Sequence, residues 1–427
     1  MQQRVAAPVL RIGIAGLGTA SLNVFPELLA HPRVKIVAGA DLRQSARDQF
    51  ASQFGGETYQ SVEALCASSN LDAVYILTPN RFHAEHAILA AEHGKHVFCD
   101  KPFGLTLGEA DAIIDAADRH NVRLLCGHSQ CLDPAILKMA ELARNGELGG
   151  TLMVNTWFYS DWLYRPRSDD ELNPSLGEGL TMRQGPVQVD IVRMMGGGLA
   201  RTVKAVAAAG DSSRVIDGSF AAFMDFEDGT AATMAYSAYG YFDTNEFSWG
   251  YGLQGFPAPV DLNTRTHQRF RAFGGREAEM AFKDSARFGN ARIRAAGDDP
   301  AAKRHAFFGI TLVTCEDGDI RQTPEGLRIY GRDGIRDIPV SAGPGYLHRY
   351  TTTEINLMLD ALDHDRPLAS HDGTWGRATL EVCLGILEST RERREVQLHH
   401  QTPYLSEPQP SRLPRTNASG SSANVSG

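Results

Sequence analysis

The chain of 427 residues has no apolar run long enough to span a bilayer, and residues 1–8 lack the charged stretch and apolar block of a signal peptide. Its six cysteines never occur as Cys-x-x-Cys, so we expect buried thiols and neither disulfides nor a metal site. Positive charge is not in excess, because the net charge is −9. We therefore expect a cytoplasmic protein with no membrane partner and no nucleic-acid partner.

A glycine turn near the N-terminus gives the first positive signal. A predicted buried strand around Ile12 and Ile14 leads into Gly16-Leu17-Gly18, and a helix is predicted from Ala20 to Ala30. Such a turn lets the backbone approach a pyrophosphate, whose charge then meets the amides that begin the helix. Ser21 replaces the third glycine of the usual pattern, so the turn alone is a weak signal.

The residues after the turn strengthen the prediction of a dinucleotide site. A second predicted strand, residues 34–40, ends at Asp41, where a carboxylate can bind a ribose 2′-hydroxyl. This favours NAD and makes NADP the less favoured cofactor, although Arg43 could instead pair with a 2′-phosphate. The predicted cofactor-binding residues are Gly16, Gly18, Thr19, Ala20, Asp41, Arg43, Thr78, Pro79, Asn80, His83, Asp100 and Lys101.

Strands and helices alternate through the first 132 residues. Further strands are predicted at residues 73–77, 96–99 and 123–126, which implies right-handed crossovers and a parallel sheet. Ligands bind at the carboxyl ends of such strands, so Pro79 and Lys101 should lie beside a nicotinamide. Pro102 biases the backbone of Lys101 toward extended geometry.

The character of the chain changes near residue 132. Strand signals recur at residues 151–158, 202–208, 220–226 and 230–239, and Glu227-Asp228-Gly229 predicts a tight antiparallel hairpin between the last two. We therefore predict an α/β protein with a dinucleotide-binding domain over residues 8–132. A second, α+β domain with an open, mainly antiparallel sheet should occupy residues 133–400. Residues 405–427 are rich in Ser, Pro, Asn and Gly, which predicts a disordered tail.

The segment Cys99-Asp100-Lys101-Pro102, with the glycine turn and the two-domain pattern, resembles the Gfo/Idh/MocA oxidoreductases, whose hallmark here is Glu-Lys-Pro. The resemblance covers residues 11–398. A narrower likeness, carried by NTWFYSDWLYRPR (155–167) and RQGPVQVDIVR (183–193), is to members that dehydrogenate cis-dihydrodiols of aromatic carboxylates. The resemblance implies a Rossmann domain and, through the open face of the second sheet, a homodimer or homotetramer.

The resemblance also makes one absence conspicuous. Many members of the family carry Asp-x-Gly-x-His-x-x-Asp in the second domain, and the histidine is the acid/base. Counting back from Asp190 puts Val187 at the histidine position and Arg183 at the first aspartate. No histidine occurs between His128 and His267.

Lys101 is the leading replacement for that histidine. Burial beside a nicotinamide cation would disfavour its ammonium form and lower its pKa toward neutrality. A tyrosine beside the lysine, Tyr159 or Tyr164, is the second candidate for the base, although such aromatic residues more often pack in a core. His128, after the fifth long strand, is the third candidate. The candidate catalytic residues are Lys101, Tyr159, Tyr164 and His128.

Several arginines point to an anionic substrate. Arg165 and Arg167 flank Pro166 in a predicted cleft loop, although solvated surface positions are the alternative, and Arg183 stands where the family presents a site residue. Guanidinium groups bind carboxylates through two parallel hydrogen bonds, which suits an aromatic carboxylate better than a neutral sugar. The candidate substrate-binding residues are Arg183, Arg165, Arg167, Trp157, Gln184 and Asp190.

The predicted function is NAD-dependent oxidation of a cis-dihydrodiol of a phthalate- or benzoate-type carboxylate to the catechol carboxylate by hydride transfer. One alternative is a sugar, inositol or sugar-acid dehydrogenase of the same family. Because the usual histidine is missing, a non-catalytic sensor that binds the dinucleotide is another.

Overall fold

The computed structural model of the protein describes residues 8–127, 129–291, 303–341 and 349–404. Predictions for His128 and for the tail at residues 405–427 lie outside these residues. No helix within the described ranges is long and apolar enough to cross a membrane.

The first domain is built on a parallel sheet of six strands in the order β3-β2-β1-β4-β5-β6. The strands are β1 (Leu10–Ala15), β2 (Val34–Ala40), β3 (Glu57–Tyr59), β4 (Ala73–Ile76), β5 (His96–Asp100) and β6 (Leu124–Gly127). The connecting helices are α1 (Thr19–Ala30), α2 (Gln44–Phe54), α3 (Val62–Cys66), α4 (His83–Glu92) and α5 (Leu107–Arg119). The strand order reverses between β1 and β4, which is the point where open sheets of this kind bind ligands.

The second domain contains a nine-stranded sheet in the order β14-β13-β12-β11-β7-β10-β9-β8-β15. Its strands are β7 (Thr151–Tyr159), β8 (Ala200–Ala208), β9 (Ser219–Phe226), β10 (Ala231–Ser237), β11 (Ile310–Cys315), β12 (Gly318–Thr323), β13 (Gly326–Gly331), β14 (Gly334–Pro339) and β15 (Val396–Gln397). Only the pairing of β7 with β10 is parallel. The predicted α/β class with a second, mainly antiparallel sheet is confirmed.

The second domain also carries the helices α6 (Pro134–Arg144), α7 (Leu180–Arg183), α8 (Gly185–Met195), α9 (Leu262–Ala272), α10 (Arg276–Ser285), α11 (Arg349–Asp363) and α12 (Gly373–Glu392). Side chains alternate across a strand, so β7 buries Val154 and Phe158 on the face that α8 covers and leaves Trp157 exposed on the other. The sheet therefore has one packed face and one open face.

Two segments of the later chain return to the first domain. Ile355 and Met358 of α11 belong to the same buried cluster as Ile12 and Ile14 of β1. Phe288, just after α10, belongs to it as well. The two domains therefore meet over a shared core, and Lys101, just after β5, contacts Arg183 at the end of α7.

Candidate functional site

The glycine turn has the geometry that a close backbone approach requires. Gly16 has a φ of +94°, and a Cβ there would lie 2.7 Å from the carbonyl oxygen of Leu77. Gly18 precedes α1 with open space around its Cα, and no side chain caps the helix. The free amides of Thr19 and Ala20 at the start of α1 can therefore meet a pyrophosphate.

Ser21 explains how the turn tolerates the departure from the glycine pattern. The side chain is fully buried, and its hydroxyl donates to the carbonyl oxygen of Gly18 at 2.8 Å. The serine thus ties the first turn of α1 back to the loop and leaves the space over Gly18 free.

Asp41 and Arg43 meet at the ribose end of the turn. The Asp41 carboxylate accepts from the backbone N–H of Leu17 at 2.9 Å and from Arg43 Nε at 3.1 Å. Arg43 Nη1 also donates to the carbonyl oxygen of Phe288 at 2.9 Å. The guanidinium is therefore held beside the carboxylate by a residue of the later chain, and the two predicted cofactor residues form one ion pair.

The next predicted cofactor residues line the ends of β4 and β5. Buried His83 lies 2.8 Å from the carbonyl oxygen of Thr78 through Nε2 and 2.9 Å from that of Pro102 through Nδ1. It braces the two loops against each other, so its ring nitrogens are already engaged. Asn80, also buried, donates to the carbonyl oxygen of Gly177 at 3.4 Å and so links this edge to the second domain.

Lys101 crosses from the first domain to the second. Its Nζ donates to the carbonyl oxygen of Arg183 at 2.7 Å, and Asp100 accepts from its backbone N–H at 2.9 Å. Burial lowers the pKa of the Lys101 ammonium, and the nearby positive charges of Arg183 and Arg167 lower it further, against the opposing carboxylates of Asp100 and Glu178. An amine in this position can hold or accept a proton closer to neutral pH than an ordinary lysine.

Four guanidinium groups gather beyond Lys101, and we refer to Arg165, Arg167, Arg183 and Arg214 as the arginine cluster. We call the region between this cluster, Lys101 and the glycine turn the cleft. Three of them are ion-paired: Arg165 with Asp161 at 2.7 Å, Arg183 with Glu178 at 2.7 Å, and Arg214 with Glu279 at 2.7 Å. Arg183 is also 3.6 Å from Glu171.

Arg167 differs from its neighbours. Its side chain is buried, Nη2 donates to the carbonyl oxygen of Trp162 at 2.5 Å, and its guanidinium carbon lies 3.9 Å over the Trp162 ring. Within the described residues no carboxylate pairs with this guanidinium, and its buried Nε has no hydrogen-bond partner. Burial and the charges of Arg183, Arg165 and Arg214 hold its pKa well below the usual value, against the opposing charge of the Glu178 carboxylate.

Sequence reasoning missed the residues that complete this cluster. Arg214 lies between β8 and β9, and its partner Glu279 lies on α10, where it also accepts from the backbone N–H of Arg167 at 2.8 Å. Lys283 on α10 pairs with Glu171. These residues are separated by tens of positions and carry no local motif, so no signal in the chain could have found them.

Two predicted aromatic residues lie away from the cleft. Trp157 and Tyr159 point to the open face of the sheet, opposite α8, and Trp157 is 49% exposed. This corrects the expectation that Trp157 binds substrate and that Tyr159 is catalytic, because residues of one parity on β7 share one face.

Tyr164 is also placed unlike a base. Its hydroxyl donates to Asp211 at 2.9 Å, and burial raises the pKa of the phenol above its ordinary value.

Gln184, beside Arg183 at the start of α8, stays half-buried at the edge of the cleft.

Asp190 is a buried structural residue in this fold and does not face the cleft. Its carboxylate accepts from the Trp375 indole and from the Thr379 hydroxyl at 2.9 Å, and it lies 3.0 Å from His371 Nε2. Ligand atoms of Cys131, Asp190 and His371 lie within 4.8 Å of one another, but hydrogen bonds among buried groups already engage Asp190 and His371. This corrects the prediction that Asp190 binds substrate.

All six cysteines are free and buried, as predicted. Val187, at the position of the family's histidine, is 1% exposed and packs in the core.

Comparison with known proteins matches the same division of the chain. Residues 10–128 match the model of an oxidoreductase family with an NAD-binding Rossmann fold, and residues 136–249 match the GFO/IDH/MocA C-terminal domain.

Among similar proteins, 1-carboxy-3-chloro-3,4-dihydroxycyclohexa-1,5-diene dehydrogenase of Comamonas testosteroni is 30% identical over 89% of this chain and 94% of its own. D-xylose 1-dehydrogenase (NADP(+)) 2 of Haloferax volcanii is 30% identical over 59% of this chain and 74% of its own. A solved structure from Bordetella bronchiseptica RB50 is 34% identical, covers 91% of this chain and 100% of its own, and superposes with a TM-score of 0.84. The chain therefore belongs to the Gfo/Idh/MocA family of NAD(P)-dependent oxidoreductases, and its first domain binds NAD.

Proposed function

We propose that the protein oxidises a cis-dihydrodiol of an aromatic carboxylate to the catechol carboxylate. The observation that carries this proposal is the buried Arg167 guanidinium, which has no carboxylate partner among the described residues and acts electrostatically on Lys101. A buried cation without an anion is costly, and a substrate carboxylate would remove that cost. The dehydrogenase of Comamonas testosteroni, whose name carries both a carboxyl group and a vicinal diol, supports the same substrate class.

The bound cofactor supplies an acceptor for the hydride that leaves the carbinol carbon. Lys101, in its neutral form, accepts the proton from the hydroxyl on that carbon, so the C–H and O–H bonds break and a C=O bond forms. The hydroxydienone then tautomerises to the aromatic ring. Because aromatisation is strongly favourable, oxidation is the proposed direction.

Positioning of Lys101 depends on both domains. Asp100 fixes the backbone at 2.9 Å, and the carbonyl oxygen of Arg183 orients Nζ at 2.7 Å. The amine is thereby aimed across the cleft, while burial holds its pKa down. This geometry supplies the base that the missing histidine would otherwise provide.

The alternatives make different use of the same cleft. A sugar or inositol dehydrogenase would bind a neutral polyol, which would leave Arg167 unneutralised. A non-catalytic sensor would need no amine whose pKa is lowered beside the cofactor.

A scan of substrates tests the proposal. The purified protein should reduce NAD to NADH when carboxylated cis-dihydrodiols are present, and the absorbance of NADH measures the rate. NAD reduction should be much slower with inositol, xylose or glucose. Turnover of polyols but not of diols would favour a sugar or inositol dehydrogenase over the proposed function. Tight NAD binding without turnover of any diol or polyol would favour the sensor.

A further inference from the structure

We infer that the substrate carries a single ring carboxylate, that Arg167 binds it, and that Arg183 is not its ligand. This inference rests on the proposed function and narrows it to benzoate-type diols. It also revises the expectation from sequence that Arg183 is the principal anion-binding residue.

The ion pairs of the cluster carry the first step. Arg183 already faces two carboxylates, Glu178 at 2.7 Å and Glu171 at 3.6 Å. Glu178 is buried, so a substrate carboxylate at Arg183 would have to approach a buried negative charge. Like charges at that distance repel strongly in a partly desolvated site.

The other two guanidinium groups are committed in the same way. Arg165 donates to Asp161 at 2.8 Å through Nε, and Asp161 also accepts from Thr266. Arg214 is 1% exposed and pairs with Glu279 at 2.7 Å. A second substrate carboxylate would therefore find no guanidinium of the cluster without a carboxylate partner.

Arg183 and Arg214 also have buried donors without a partner, but only Arg167 lacks a carboxylate partner among the described members of the cluster. Trp162 holds it from two sides, through its carbonyl oxygen and through its ring. Its backbone N–H is anchored to Glu279 at 2.8 Å. Among the described residues, its buried Nε has no hydrogen-bond partner and no carboxylate pairs with the guanidinium, which leaves this cation without an anion. A guanidinium held in place loses little freedom when it binds a carboxylate.

Matched variants test the assignment. The steady-state kcat/KM of wild type, Arg167→Gln and Arg183→Gln should be measured on three cis-dihydrodiols: uncarboxylated, benzoate-type and phthalate-type. Wild type should prefer the benzoate type over both others. Arg167→Gln should lower kcat/KM for the benzoate type about 100-fold and change the uncarboxylated diol only a few-fold. Arg183→Gln should lower kcat/KM for the benzoate-type and the uncarboxylated diol by similar factors. The substitution removes the ion-pair partner of Glu178 and so disturbs the segment whose carbonyl oxygen positions Lys101.

A binding measurement separates this inference from the proposed function. Benzoate and phthalate should be titrated calorimetrically into the NAD-loaded wild type, Arg167→Gln and Arg183→Gln. Benzoate binding that is lost in Arg167→Gln would uphold the single-carboxylate site even if no diol were oxidised. Preference of wild type for phthalate-type ligands, or selective loss of benzoate in Arg183→Gln, would overturn it. Arg167→Lys keeps the positive charge but loses the planar guanidinium, so its loss of benzoate affinity should lie between those of wild type and Arg167→Gln. This variant tests the assignment if Arg167→Gln does not fold.

Discussion

At the scale of single residues, Lys101 and Arg167 are the two cations of the cleft that lack a carboxylate ion pair within the described chain. The two positive charges repel each other, and this repulsion lowers the pKa of the Lys101 ammonium beyond the effect of burial. A permanent cation beside the lysine thus serves twice: it binds an anion and keeps the amine ready to accept a proton. Val187, which occupies the place of the usual histidine, has no chemistry to offer.

Replacement of Lys101 tests its role as the base. Lys101→Met should reduce kcat about 100-fold or more, the range typical of a general base, and leave the Kd for NAD nearly unchanged. Stopped-flow turnover and fluorescence titration with NAD would measure the two quantities. Exposed Lys35→Met is the matched control and should match wild type in both.

The pH dependence of the same reaction gives an independent reading. The amine must be deprotonated to act, so kcat/KM should rise with pH through the lowered pKa of Lys101 and then level off. Arg167→Gln removes a positive neighbour and should move this rise to higher pH. A wild-type profile that does not rise with pH, or a Lys101→Met enzyme that retains turnover, would transfer the role to another residue, such as His128.

At the scale of elements, α10 and residues 286–291 connect the substrate end of the cleft to the cofactor end. Glu279 on α10 contacts Arg167 and Arg214, and Phe288, a few residues later, is fully buried with its ring 5.1 Å from that of Phe25. The carbonyl of the same Phe288 holds Arg43 beside Asp41. One continuous segment therefore supports both halves of the site.

Truncation of the Phe288 side chain should show this connection. Phe288→Ala should lower the free energy of unfolding by about 3–5 kcal/mol, because it leaves a cavity in a phenylalanine cluster. It should also weaken NAD binding, since Arg43 loses a fixed partner. Denaturant unfolding and NAD titration provide the measurements. Phe282→Ala on α10, at a 42% exposed position, is the control and should change the free energy of unfolding and the NAD affinity only slightly. Equal effects of the two variants would contradict the supporting role of Phe288.

At the scale of the whole molecule, one face of the second sheet is left open by the α-helices that the structure describes. Large apolar side chains are exposed on it, including Met153, Trp157, Tyr159 and Phe223. Contiguous exposed apolar surface of this kind is typical of an association site. We propose that this face joins copies of the chain, as the family resemblance implied.

Association through this face is testable by mass in solution. Wild type should elute as a dimer or tetramer in size-exclusion chromatography with light scattering, and Trp157→Arg should shift it toward monomer, because a charge would be buried at the interface. Leu29→Arg, on an exposed part of α1 in the first domain, is the control and should leave the mass unchanged. A monomeric wild type would contradict the proposal.

The sequence by itself determined the first domain and its cofactor, because the signals there are local. The glycine turn, Asp41 and the Lys101-Pro102 pair each act through a strand end, and parallel strands bring their carboxyl ends to one edge. The parallel pairing of the first sheet and the hairpin at Glu227-Asp228-Gly229 followed from the same short-range patterns.

Only the tertiary structure decided which candidates share the cleft. Which parity of β7 faces the helices depends on packing of the whole sheet, so Trp157 could not be assigned a face from its neighbours in sequence. Asp190 is buried because its partners come from α12, 185 residues away at Trp375. Glu279 neutralises Arg214 across 65 residues, and Arg167 is distinguished by having no carboxylate partner within the described ranges. Ion pairing is a property of the folded arrangement, because charges far apart in the chain interact only after folding brings them together.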